Sequence, residues 1–196
     1  MDRSSKTNAG EYYDKLSASY DELYGEEQLR KHDKVVEFLG NRRFGIIVDI
    51  GCGTGNLLEK LGERCEAAVG IDVSSQMLLM AKTRLGRERV ELVRADFKAL
   101  PVRSSIMDCA LAISLLDSRH DDYKAQMSEI RRIATQQGTL AFTVFHPDDE
   151  DLKIEQFALP PRASVEKISK RENLYVIQPT NTPGNGPSKA GLSHLL

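Results

Sequence analysis

The sequence feature that most limits the possible folds is an alternation of short apolar runs with longer amphipathic segments. The runs are almost continuously apolar, which is typical of strands that helices cover on both faces. The alternation therefore predicts an α/β fold, doubly wound around a parallel sheet. The predicted strands are Gly45–Ile50, Ala67–Asp72, Val90–Asp96, Met107–Ser114 and Thr139–Phe145.

The remaining elements follow from helical spacing of apolar residues and from short paired runs. Two helices are predicted before the sheet, and the last two strands are close enough in sequence to form an antiparallel hairpin at one sheet edge. The predicted helices are Asp14–Tyr24, Glu27–Leu39, Asn56–Leu61, Ser75–Leu85, Asp122–Ala134 and Asp149–Leu159, and the hairpin strands are Ser164–Lys170 and Leu174–Gln178.

Length and charge limit the organisation and the partners. With 196 residues, of which 40% are hydrophobic, the chain suits one globular domain. We expect a helical cap over residues 1–44, a ligand-binding domain over 45–180 and a disordered tail over 181–196. The net charge of −2 offers no general attraction to nucleic acid or to membranes. Without an apolar leader or spanning segment, the sequence predicts a cytoplasmic protein with a small-molecule substrate.

A glycine-rich turn follows the first predicted strand, in the stretch VDIGCGTGN. The third glycine of a dinucleotide-binding turn would fall at position 56, which is Asn. Asp49 stands two residues before Gly51, and a carboxylate there disfavours pyrophosphate and favours a cationic ligand. S-adenosylmethionine meets that requirement, because it carries an ammonium and a sulfonium and no phosphate.

Two further acidic residues end the next two predicted strands. Asp72 lies 21 residues after Gly51, where a carboxylate can accept hydrogen bonds from both ribose hydroxyls. Asp96 and Phe97 would lie along the same sheet edge and could meet the adenine. The alternative is that these aspartates only cap turns and helices.

These segments resemble the successive motifs of class I, Rossmann-like, S-adenosylmethionine-dependent methyltransferases. The quoted stretches are VDIGCGTGN, VGIDVSSQML, VRADFKALP and MDCALAISLL. The resemblance implies a mostly parallel seven-stranded sheet with an antiparallel C-terminal hairpin. It also implies a cofactor site: Asp49, Gly51, Gly53 and Gly55 around the methionine moiety, with Cys52 in the same turn, Asp72 on the ribose, Val73 and Met77 near the adenosine, and Asp96 and Phe97 on the adenine.

Two short N-terminal motifs are similar to those of small-molecule methyltransferases of ubiquinone and menaquinone biosynthesis: Tyr12-Tyr13-Asp14 and Tyr20-Asp21. The tyrosines at 12, 13, 20 and 24 could form a lid, or simply pack a helix. The family's frequent His-His after the fourth strand is replaced here by Asp117-Ser118. Asp117 is therefore the candidate for orienting or deprotonating the acceptor, with His120 in reserve.

Two alternatives stay open from the sequence. The chain could methylate RNA or protein, with basic pairs such as Arg42-Arg43 on phosphates and a partner subunit that supplies substrate contacts. It could also be an inactive module that binds the cofactor and regulates a partner. A nucleophilic Cys52 is disfavoured because no histidine partner is identifiable, and the wide spacing of Cys52, Cys65 and Cys109 predicts reduced thiols and no metal site.

Overall fold

A seven-stranded mixed sheet forms the centre of the computed structural model, which describes residues 9–86, 90–118, 123–146 and 163–179. The strand order is β3-β2-β1-β4-β5-β7-β6; the first five run parallel, and β7 runs antiparallel between β5 and β6. The predicted fold class and C-terminal hairpin are confirmed. The strands are β1 Phe44–Ile50, β2 Cys65–Asp72, β3 Val90–Arg94, β4 Met107–Asp117, β5 Ala134–Phe145, β6 Ala163–Ser169 and β7 Glu172–Ile177.

Four α-helices in the described ranges cover the two faces of this sheet. They are α1 Ala9–Leu39, α2 Asn56–Leu61, α3 Ser75–Leu85 and α4 Tyr123–Ile133. Apolar side chains of α1, α2 and α3 join one buried cluster with Ile47 of β1, whereas those of α4 join another with Val48. Neighbouring residues of β1 thus enter opposite cores, which is why the strand is apolar throughout.

The two helices predicted before the sheet are one continuous helix, so that prediction was wrong. Gly25 lies inside α1, and a glycine in a helix interior costs only about 1 kcal/mol relative to alanine. Contacts on both sides offset this cost: Asp21 pairs with Arg84 at 2.8 Å, and Lys31 pairs with Glu172 at 2.6 Å. Tertiary pairing therefore overrides the local break.

Strand β5 begins five residues before its predicted start at Thr139. Its register with β4 shifts between the pairs Met107↔Ala134 and Cys109↔Thr139, so the intervening residues form an irregularity in the strand. A Cβ at Gly138 would lie 3.0 Å from the carbonyl oxygen of Met107, which shows how closely the backbones approach there. The predicted helix over 149–159 and the tail over 181–196 lie outside the described residues.

Among the described residues, no helix combines the length with the apolar character that crossing a membrane requires.

Candidate active site

A cavity of about 700 Å³ opens at the carboxyl ends of the parallel strands, beside the point where strand order reverses at β1. This size lies within the range of roughly 300–1,000 Å³ that is usual for small-molecule sites. Doubly wound sheets bind their ligands at such a point. Nine of the predicted cofactor residues line the cavity: Asp49, Gly51, Cys52, Gly53, Asp72, Val73, Met77, Asp96 and Phe97.

The glycine-rich loop folds tightly over the end of β2. Its first two amides, those of Gly51 and Cys52, donate to the carbonyl of Ile71 at 2.7 and 3.0 Å. Gly53 has a φ of 52°, and a Cβ built there would meet no heavy atom within 4 Å. The loop therefore leaves an open backbone surface where a ligand can approach closely.

Gly55, the tenth predicted residue, is placed differently. It precedes α2 with a φ of 84°, and a Cβ there would lie 3.0 Å from Leu85 and 3.2 Å from Ala81 of α3. Its position thus permits α2 and α3 to pack together. Gly55 is not among the residues that line the cavity, and its contact with a cofactor stays a prediction.

The carboxylate of Asp72 organises the loops on both sides of it. One oxygen accepts from the amide of Gly53 at 2.9 Å and the other from that of Ser74 at 2.8 Å. Each oxygen keeps lone-pair capacity for a further donor. Burial raises the pKa of Asp72 despite these hydrogen bonds. The arrangement suits a ligand that offers two neighbouring hydroxyls.

Asp49 is more deeply buried, and no donor among the described residues bonds to its carboxylate. Burial, together with the nearby Asp72, raises the pKa of Asp49 to about 8. The sequence predicts a charged carboxylate here, whereas this pKa favours the protonated form at pH 7. A cationic ligand beside it would restore the ionised form. Burial also raises the pKa of the neighbouring Cys52 thiol, which excludes a reactive thiolate there.

Asp96 serves as a turn residue and also lines the cavity. One of its oxygens accepts from the amide of Lys98 at 2.9 Å, and the following Phe97 is buried. The alternative that these aspartates cap turns is therefore true of Asp72 and Asp96, and both still face the cavity. Capping and ligand contact are compatible because a carboxylate has about four lone-pair sites.

Helix α1 lies over the glycine-rich loop and supplies part of the cavity lining. Asp21 accepts from Thr54 at 2.8 Å and from Arg84 at 2.8 Å, and Asp14 accepts from the hydroxyl of Ser74 at 2.6 Å. Tyr13 and Tyr20, seven residues apart on one helix face, line the cavity. Tyr12 and Tyr24 are exposed and do not line it. The repeated Tyr-Asp pair, at positions 13–14 and 20–21, is the sequence signal from which the anchoring role of both aspartates could have been inferred.

The first acceptor candidate from the sequence, Asp117, does not line the cavity. Asp117 is the last residue of β4, where it pairs with Phe145 of β5. His120 lies outside the described residues. The role of Asp117 stays a prediction. Instead, β4 presents Ser114 to the cavity, next to Gln28 and His32 of α1. Sequence reasoning missed these three because nothing in their spacing joins them.

Comparison with known proteins agrees with this geometry. Residues 48–142 match the methyltransferase domain family. The chain is 34% identical over 140 residues to an uncharacterised protein of Methanocaldococcus jannaschii, a match that covers 71% of this chain and 52% of that protein. It is 28% identical over 162 residues to the malonyl-[acyl-carrier protein] O-methyltransferase of Enterobacter lignolyticus, which covers 81% and 62%. The match thus spans between half and two thirds of each relative.

A solved structure shares the fold. The complex of DhpI with SAH superposes with a TM-score of 0.68 at 17% identity, covering 90% of this chain and all of that one. The family match includes the glycine-rich turn and the strands that carry Asp72 and Ser114. Over residues 48–142 the chain therefore carries a methyltransferase domain of the class I, Rossmann-like, S-adenosylmethionine-dependent kind.

Proposed function

We propose that this protein transfers the methyl group of S-adenosylmethionine to a small-molecule acceptor. The observation that carries the proposal is the composition of the cavity. Residues of α1, Tyr13 and Tyr20 among them, line the same space as the glycine-rich loop and the acidic strand ends. Because α1 of the chain itself covers this space, the cavity favours an acceptor small enough to fit beneath that helix.

The residues present fit the cofactor. Asp49 is a buried carboxylate with no hydrogen-bond donor in the described part of the chain, which favours a cationic neighbour, and Gly53 leaves the loop backbone open. Asp49 and the loop would hold the methionine moiety, Asp72 the ribose hydroxyls, and Asp96 and Phe97 the adenine. When bound, the sulfonium supplies a methyl group that is already activated for transfer.

The protein's own contribution is then positioning and exclusion of water. Tyr13 and Tyr20 of α1 line the cavity together with Asp72. Burial raises the pKa of both phenols, and the charge of Asp72 adds to this effect. The phenols stay neutral, so they offer apolar ring surface without competing charge. In this proposal, α1, which lies within the N-terminal cap predicted from the sequence, covers the cavity and orders cofactor and acceptor.

The relative from Enterobacter lignolyticus is an O-methyltransferase acting on malonyl-[acyl-carrier protein]. It supports oxygen as the accepting atom without identifying the acceptor of this protein.

The test is incubation of the full chain with methyl-labelled S-adenosylmethionine and a fractionated cell extract. Label is expected in the small-molecule fraction. Label confined to RNA or to protein would contradict the proposal and favour the corresponding alternative. Cofactor binding with no label in any fraction would instead favour an inactive regulatory module.

A further inference from the structure

The order of the strands divides the cavity into two ends. Asp96 follows β3, Asp72 ends β2 and the glycine-rich loop follows β1, so the proposed cofactor contacts proceed along the sheet edge from adenine to methionine. The next strand along that edge is β4, which presents Ser114. An acceptor placed beyond the methyl-bearing end of the cofactor would therefore meet β4.

Ser114 has an unusual backbone conformation. Its φ is 57°, a left-handed value that non-glycine residues seldom adopt, and it lies within a register shift of β4 between Ala112 and Leu116. Its amide donates to the hydroxyl of Thr143 at 2.6 Å. Strain of this kind persists only where surrounding contacts hold it, and it is concentrated at functional sites.

Those contacts come from a buried ion pair. The ammonium of Lys31 donates to the Ser114 hydroxyl at 2.8 Å, and it pairs with Glu172 at 2.6 Å and Glu27 at 2.8 Å. An ammonium has three donors, and each has a partner here. With two carboxylates around one lysine, the cluster has neither a spare donor nor a spare positive charge for an anionic acceptor.

The amide of Gln28 leaves hydrogen-bonding capacity in the cavity lining. Its Nε2 lies 3.2 Å and its Oε1 3.3 Å from the Ser114 hydroxyl oxygen. If Nε2 donates to Ser114, then Oε1 of Gln28 keeps its lone pairs. If Ser114 donates to Oε1, the serine oxygen keeps one lone pair and Nε2 keeps its donors. Either arrangement offers an acceptor atom to an incoming hydroxyl.

His32 lies one helical turn after Gln28 in the same lining, and its Nδ1 is buried without a hydrogen-bond partner among the described residues. Burial lowers the pKa of His32 to about 4. The nearby cations Lys60 and Lys31 lower this pKa further, and Asp33 and Asp21 oppose the shift by smaller amounts. The imidazole is therefore neutral at pH 7, and in the tautomer protonated at Nε2 its Nδ1 can accept a proton.

We propose that Gln28, His32 and Ser114 form the acceptor subsite, and that this subsite takes an uncharged hydroxyl group on an apolar body. The inference rests on the proposed methyl transfer. The hydroxyl oxygen forms the bond to the methyl carbon, the carbon–sulfur bond breaks with its electron pair staying on sulfur, and the hydroxyl proton passes to Nδ1 of His32. The apolar body would contact Ile113 and Leu115, which flank Ser114 in the lining.

The test uses three ring compounds that differ in one group: phenol, anisole and benzoate. Each is titrated by NMR into the full chain saturated with S-adenosylhomocysteine, the demethylated product of the cofactor. Phenol is expected to bind about 3- to 10-fold more tightly than anisole, because it alone donates a hydrogen bond. At equal saturation, phenol should also shift the His32 imidazole signals more than anisole does, because only phenol donates a hydrogen bond. Benzoate is expected to bind more weakly than phenol.

Two glycine variants separate binding from backbone strain. Ser114→Gly removes the hydroxyl and relieves the left-handed strain, and Ser105→Gly relieves the same strain at a φ of 59° in a residue that does not line the cavity. The preference for phenol over anisole should fall in Ser114→Gly, because the acceptors on Gln28 and His32 lose the serine that orders Gln28, and it should persist at full size in Ser105→Gly.

The inference is overturned if phenol does not bind, if benzoate binds most tightly, or if Ser114→Gly keeps the preference at its wild-type size. Failure of the wild-type chain to bind S-adenosylhomocysteine would instead contradict the proposed function itself.

Discussion

The β3-to-β1 end of the cavity and its β4 end are built from the sequence in different ways. At the first end, the polar groups stand at or close to the carboxyl ends of their strands, and each short motif carries its own geometry. At the β4 end, Ser114 meets Lys31 and Gln28, which lie 83 and 86 residues away, and Glu172, which lies 58 residues away. The comparison teaches that a cofactor site can be local in sequence while the proposed acceptor subsite of the same cavity depends on long-range packing.

The largest expected effect belongs to the ion pair behind the β4 end. Lys31→Met leaves Glu172, whose side chain is only 6% exposed, without its cation. We expect the free energy of unfolding, measured with urea, to fall by about 3–5 kcal/mol, because an uncompensated charge stays buried. The matched control is Lys34→Met, whose ion pairs with Glu37 and Glu166 are exposed and should matter by less than about 1 kcal/mol. Equal losses would show that the cluster is not a buried unit.

The next effect tests the other end of the cavity. Asp72→Ala removes the carboxylate proposed to bind the ribose, and the affinity for S-adenosylmethionine should fall about 10- to 100-fold by calorimetry. Asp108→Ala is the control, since Asp108 also accepts from a backbone amide, that of Ile46 at 2.9 Å, and does not line the cavity. Unchanged affinity in Asp72→Ala would remove this residue from the ribose site.

Asp49 predicts a pH dependence of about one decade in affinity per pH unit. Its pKa of about 8 falls when a cationic ligand binds, so binding releases a proton. Affinity for S-adenosylmethionine should therefore rise with pH in the window below about 8 and level off above it. In Asp49→Asn this slope should be absent. A slope that survives in the variant would assign the proton to another group.

The same residue makes a prediction about stability. Between the usual aspartate pKa of 3.8 and about 8, the unfolded chain loses this proton while the folded chain retains it. The contribution of Asp49 to the free energy of unfolding therefore becomes more unfavourable as pH rises. Asp49→Asn should gain stability relative to wild type at pH 8 and little at pH 4, as thermal unfolding at both pH values can measure.

The smallest expected effect concerns the contacts that hold α1 over the cavity. Asp21 joins α1 to Thr54 and Arg84; burial opposes its ionisation, but these hydrogen bonds lower its pKa overall. Asp21→Asn should weaken cofactor binding about 2- to 5-fold, because the pair is partly exposed. Glu22→Gln, at an exposed neighbouring position, is the control. If both variants bind as wild type does, α1 contributes packing and not retention of the cofactor.

The sequence was informative wherever function and chain order coincide. Asp72 was assigned from its distance to Gly51, and the structure brings both to one cavity because β1 and β2 are adjacent and parallel. The break assigned at Gly25 was wrong because the pairing of α1 with α3 and β7 cannot be seen in local propensity. Asp117 is predicted from its place after a strand, and its role stays a prediction; that Ser114 lines the cavity depends on the register shift in β4, which local sequence does not reveal.

By itself, then, the sequence determined the alternation of strands and helices, the glycine-rich turn and the acidic strand ends, because these depend on hydrophobic period and on neighbouring residues. Only the tertiary structure decided the charge state of Asp49, the continuity of α1 and the cluster of Lys31, Ser114 and Glu172. The physical reason is that burial and long-range ion pairing depend on which distant segments pack together, and neither quantity is encoded in local spacing.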